Sequence, residues 1–152
     1  MFKRSLLPSR LLNIAILCVA LIYALVMIKL LFIRSQYFGS GYSYNLVPFD
    51  TIKHFILNRH RMNANIWIEN LLGNIILFIP IGVFLPLLNR SFYRFWPLLI
   101  ACVLLLFGVE LLQMLLRVGS FDVDDIILNT IGALLGFAGL RLALFTYTKI
   151  LQ

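Results

Sequence analysis

Apolar residues dominate four stretches of this chain, Leu11 to Ile33, Ile66 to Leu88, Phe95 to Leu116 and Ile126 to Tyr147. Each reaches the roughly 20 residues a helix needs to cross a bilayer. Polar residues interrupt the last two in register. Glu110, Gln113 and Arg117 fall at i, i+3 and i+7, and Asp122, Asp125 and Asn129 repeat that spacing. Residues so spaced share a helix face, so each set predicts one polar stripe. A short connection containing Gly119 joins the two helices and predicts antiparallel neighbours whose stripes face each other. Arg117 then pairs with Asp122 or Asp125, and Glu110 lies deeper, near Asn129. Asn70 and Asn74 of the second span, on one face at i and i+4, complete a pocket.

The remaining pattern adds detail. The first span is almost uniformly apolar and predicts a lipid-facing anchor, with Lys29 snorkelling to the surface. In the second, Pro80 removes a helix hydrogen bond and predicts a kink facing protein or a wet cavity. Gly132 and Gly136 form a GxxxG pair on the face of Asn129, which predicts close packing of another helix. The first loop, Arg34 to Asn65, holds Gly39 and Gly41 and then NLVPFDTIKHFIL. Phe49, Ile52, Phe55 and Ile56 are spaced for one apolar face, and Pro48 suits a first helical turn. A short amphipathic helix lying in the membrane interface is expected there.

Composition sharpens the class. Of 152 residues, 62% are hydrophobic and only 12% charged, against about 25% charged in a soluble domain. The fold expected is an all-α integral membrane protein, a small bundle of four transmembrane helices with that interfacial helix in the first loop. The division expected is a basic segment and first anchor over 1–34, a membrane domain over 35–147 and a tail over 148–152. Cys18 and Cys102 both fall in apolar spans and are expected as small hydrophobes rather than a disulfide. The N-terminal apolar run exceeds a signal-peptide core and is expected to stay as a span.

A net charge of +7 does not point to nucleic acid, because the basic residues flank the spans instead of forming a stripe. With the N-terminus inside, Lys3, Arg4, Arg10, Arg90, Arg94, Arg141 and Lys149 lie inside, seven in all, against Arg34, Lys53, Arg59, Arg61 and Arg117, five, outside. The excess favours both termini in the cytoplasm. The amphipathic loop and the Asp cluster then face outward.

The chemistry stays open at this point. An ionisable group at mid-bilayer costs roughly 2.5–3.5 kcal/mol on insertion scales, so Glu110 is expected to serve a purpose. It is a structural polar plug, a proton acceptor or a contact for a ligand headgroup. Asp122, Asp124 and Asp125 lie within four positions and admit a Mg²⁺ site completed by phosphate. The spacing is no specific metal signature, and an Arg–Asp lock at the turn competes with it. Whether a cofactor is bound stays open.

Four blocks in order resemble the VanZ-like family of bacterial membrane proteins. They are NLVPFDTI (Asn45 to Ile52), GNIILFIPIGVFLPLL (Gly73 to Leu88), ELLQ (Glu110 to Gln113) and RVGSFDVDDIILNTIGALLG (Arg117 to Gly136). The family is named for a protein associated with teicoplanin-type glycopeptide resistance. The resemblance implies a multi-pass protein of the bacterial cytoplasmic membrane with a cell-envelope role, and it implies no reaction.

Three functions follow as expectations. One is a protein that binds or protects an amphiphilic envelope component at an outward polar pocket, with Asn45, Asn70, Asn74, Gln113, Arg117 and Asn129 as ligand contacts. The ligand would be a lipid-linked wall precursor or a lipoglycopeptide, with the lipid bilayer as surroundings and a homo-oligomer as one open state. The second is an intramembrane enzyme on a lipid-linked substrate, with Glu110 as general acid or base and Asp122 and Asp125 assisting. The third is a small transporter or proton-coupled channel.

Overall fold

The computed structural model describes residues 10–33 and 42–150. Lys3, Arg4, Arg34, Gly39 and Gly41 lie outside the described residues. Four helices are long and apolar enough to cross a membrane: Arg10–Ile33, Ala64–Leu88, Phe95–Leu115 and Val123–Lys149. They coincide with the four stretches of the sequence to within a few residues. The protein is therefore a multi-pass helical membrane protein set in a lipid bilayer.

Helix α1 (Arg10–Ile28) ends in a π-helical turn, Lys29–Ile33. Its flanks are exposed from Leu11 to Ile28, as a lipid-facing span requires. A two-residue strand, β1 (Tyr44–Asn45), precedes α2 (Asp50–Asn58). The second span is α3 (Ala64–Ile68), a π-helical turn (Glu69–Gly73) and α4 (Asn74–Leu88). A 3-10 turn, Arg90–Tyr93, leads into α5 (Phe95–Leu115). Strand β2 (Phe121–Asp122) then opens α6 (Val123–Ile150).

The tightest packing joins α4 to α6, and missing side chains permit it. A Cβ at Gly132 would overlap the Ile75 carbonyl, one at Gly136 the Ile79 carbonyl, and one at Gly82 the Ala133 carbonyl. Both helices thus supply glycine, and the backbones meet directly. Around this seam, Leu98 and Cys102 of α5 pack on Ala133 and Phe137 of α6. Met27 of α1, Phe78 of α4 and Leu106 of α5 form a second cluster. Near Pro80, the Tyr23 hydroxyl of α1 donates to the Leu77 carbonyl at 2.6 Å. That contact pins the anchor helix to the bundle. Both cysteines are free, Cys102 in the core and Cys18 exposed.

β1 and β2 pair in parallel, with Tyr44 opposite Phe121 and Asn45 opposite Asp122. Phe121 N–H also donates to the Ser43 carbonyl at 3.0 Å. Parallel strands need a crossover between them, and here the second and third spans supply it. The pairing holds the first loop against the α5–α6 turn, so both lie at the same end of the bundle.

Candidate functional site

Three aspartates at the start of α6 organise this end of the molecule. Asp122 is the residue before the helix, and its Oδ1 accepts the Asp124 backbone N–H at 2.8 Å. That is an N-cap, which satisfies a donor that the helix leaves free. The same carboxylate accepts from Asn45 Nδ2 at 3.3 Å and from Thr51 Oγ at 2.7 Å. Asn45 Nδ2 also reaches Thr51 Oγ at 2.9 Å, and its Oδ1 accepts the Val47 N–H at 3.0 Å. Asn45, Thr51 and Asp122 form one triangle between the loop and α6.

Asp124 is fully buried. Its oxygens accept the backbone N–H groups of Phe49 at 2.5 Å and Ile52 at 3.1 Å. These belong to the N-terminal turn of α2, so one carboxylate in the first turn of α6 caps a second helix. Two helix N-termini converge on it, and their dipoles favour negative charge there. Asp125 faces the other way and accepts from Asn74 Nδ2 at 2.6 Å, which ties α4 to α6.

Glu110 is buried, and its Oε2 accepts the Asp122 backbone N–H at 3.1 Å. Glu110, Asp122 and Asp125 thus gather within charge–charge range of one another. Among the described residues no group of three His, Cys, Asp or Glu is disposed to hold a metal ion. The partners of Asp122 and Asp124 are helix amides, a hydroxyl and an amide side chain instead.

The expected Arg117–Asp pairing is corrected. α5 ends at Leu115, and Arg117 lies beyond it with φ 57, in the left-handed region. Val118 N–H reaches the Gln113 carbonyl at 3.0 Å and Arg117 N–H the Met114 carbonyl at 3.1 Å. This is a Schellman cap, a place usually taken by glycine. The turn breaks the helical stripe and swings the guanidinium outward. It lies 5.2 Å from the centroid of the Tyr42 ring, a cation–π contact.

Other expected residues separate. Gln113 Nε2 donates to the Leu31 carbonyl at 2.9 Å and so satisfies the end of the first span. Asn70 is exposed and bonds back to the Ile66 carbonyl at 2.7 Å, so it does not join Asn74 at the Asp cluster. The π-helical turn Glu69–Gly73 lies between the approach of α3 and that of α4 and includes Asn70. Asn129 is buried on α6, and its Oδ1 has no hydrogen-bond partner. Pro48 is also placed differently, in the turn before α2, with left-handed Phe49 (φ 67) as the N-cap residue.

A family profile described as VanZ/LLP1 matches residues 20–145. The chain belongs to this VanZ family. Protein VanZ of Enterococcus faecium is 33% identical over 102 residues, 66% of this chain and 52% of the relative. The match thus spans about half the length of that relative. No solved structure matches the chain. Every residue of the Asp122–Asp124 network falls inside the VanZ-matched region.

Sequence spacing missed Thr51 and Tyr42 in this VanZ-like chain, and it offered Asp124 only as one of three aspartates for a Mg²⁺ site, not as a helix cap. A signal for Asp124 existed, since an acidic residue in a first helical turn answers the dipole. That it caps a second helix depends on contacts 72 and 75 residues apart.

Proposed function

We propose that this chain is a cell-envelope protein of the bacterial cytoplasmic membrane that contributes to teicoplanin-type protection. It binds or shields an amphiphilic envelope component on the outer surface, which the α2 end of the bundle faces, with the start of α1 and the end of α6 on the cytoplasmic side. The observation that carries this reading is the tethered loop. Asp122 and Asp124 hold β1 and α2 against the bundle, and α2 presents mixed chemistry. Ile52 and Phe55 turn inward, while Ile56 and Leu57 stay exposed beside Lys53, Arg59 and Arg61. Leu46, Val47 and Phe49 extend the exposed apolar surface. Such a surface suits a ligand with a fatty chain and an anionic head. Arg117, turned outward at the neighbouring cap, adds a further cation. A lipid-linked wall precursor and a lipoglycopeptide both have this chemistry.

The test is teicoplanin susceptibility of a sensitive Gram-positive host at matched membrane levels. Wild type is expected to protect, and Arg117→Ala and the double variant Lys53→Gln/Arg59→Gln to lose that protection. Equal protection by all three overturns the surface assignment. Glu110→Gln, compared in the same assay, distinguishes a carboxylate that must ionise from one that only accepts the Asp122 N–H. Absence of protection by wild type overturns the resistance role for this member.

A further inference from the structure

The opposite end of the bundle carries a second arrangement. The chain has six acidic residues, Asp50, Glu69, Glu110, Asp122, Asp124 and Asp125, and all lie in the half nearest α2. The far end carries Arg10, Arg90, Arg94, Arg141 and Lys149. There, at the 3-10 turn, Arg90, Ser91, Arg94 and Pro97 line a cleft of about 340 Å³, and no Asp or Glu is among the described residues of its wall. Trp96 beside it is 68% exposed, and exposed Trp beside basic residues is typical of headgroup depth. Arg141 lies over the Tyr93 ring at 5.5 Å and adds positive charge nearby.

An apolar groove of about 460 Å³ runs between α1, α4 and α5. Ala101, Leu105 and Val109 of α5 line one wall, Ala24 of α1 the other, and Phe92 of the 3-10 turn also contributes. Pro97 of the cleft and Ala101, Leu105 and Val109 of the groove recur every four residues, so cleft and groove follow one ridge of α5. At 1.5 Å per residue, Pro97 to Val109 covers about 18 Å. One leaflet of hydrocarbon is about 15 Å deep, half of a core of about 30 Å.

We infer that cleft and groove together bind one anionic phospholipid from the leaflet on that side. Its phosphate sits between Arg90 and Arg94, and one acyl chain follows the α5 ridge. The charge of the cleft selects against lipids whose phosphate is neutralised by an attached cation. The groove selects against a free phosphate ion.

Native mass spectrometry of the full chain in detergent tests this, with phosphatidylglycerol, phosphatidylcholine and inorganic phosphate as probes. Phosphatidylglycerol is expected to be retained over phosphatidylcholine. Arg90→Gln/Arg94→Gln should weaken it by about tenfold or more, the scale of one lost charge-assisted contact. Ala101→Phe, which fills the groove, should weaken it similarly. Should that variant misfold, Ala24→Leu on the facing wall gives the same readout. Equal phosphatidylglycerol affinity in wild type and the double Gln variant overturns the site. Inorganic phosphate binding that Ala101→Phe leaves unchanged, with no preference for phosphatidylglycerol, also overturns it and leaves a simple anion cleft.

Discussion

Asp124 in the first turn of α6 caps the Phe49 end of α2, accepting that residue's N–H at 2.5 Å from 75 positions away. Its second oxygen takes the Ile52 N–H at 3.1 Å. The first loop therefore owes its place less to its own apolar face than to one buried carboxylate. Asp124→Ala strands two backbone donors that the buried carboxylate satisfies. A cost of about 2–4 kcal/mol is expected from losing charge-assisted bonds and leaving donors unpaired. Thermal unfolding in detergent measures the cost. Amide exchange should accelerate over 49–58 well before the spanning helices respond. Uniform exchange across the chain would contradict the tether.

Thr51 and Asp122 form the second tie, at 2.7 Å. Thr51→Val keeps the shape and removes the hydroxyl. A loss of about 1–2 kcal/mol is expected. A double-mutant cycle with Asp122→Asn should recover a coupling of about 1 kcal/mol, as residues in one network do. Strict additivity would mean that the contact carries no weight in stability.

The glycines divide into two groups. Gly82→Ala and Gly132→Ala place a Cβ on opposing backbone carbonyls, and backbone cannot step aside cheaply. Each should cost about 3 kcal/mol or more, at the upper end of overpacking. Gly108→Ala and Gly139→Ala meet nothing within 4 Å. They should be neutral or slightly stabilising, because Ala is the better helix former. Melting temperatures of the four variants decide the matter, and similar values for all would refute the α4–α6 contact.

Arg117 separates stability from function. It holds a left-handed conformation that glycine adopts without strain. Arg117→Gly should stabilise the fold by about 1 kcal/mol, set against the lost Tyr42 contact. The same change should abolish protection if the guanidinium grips ligand. A variant that melts higher yet fails to protect would assign Arg117 to binding. One that melts lower would make the Tyr42 contact the reason for the residue.

Much of the fold was legible in the chain because lipid imposes a simple rule. Backbone polar groups in lipid must be satisfied within the protein, and a long apolar helix does so within each span. The four stretches matched the four helices, and GxxxG lay on a face where backbones meet. The polar site was less legible. Spacing placed Glu110, Gln113 and Arg117 on one stripe, yet the helix stopped before Arg117. A Schellman cap needs two bonds and a left-handed residue, and a helical periodicity contains no sign of it.

Sequence alone determined the membrane class and the number of spans. Hydropathy and spacing are local quantities, and these properties depend on nothing else. The tertiary structure decided the partners. Asp124 on α2, Asp122 with Asn45 and Thr51, Gln113 on Leu31 and Asn74 on Asp125 all join distant segments. A buried carboxylate takes whichever donors the packed helices bring within about 3 Å, and only the folded chain specifies which those are.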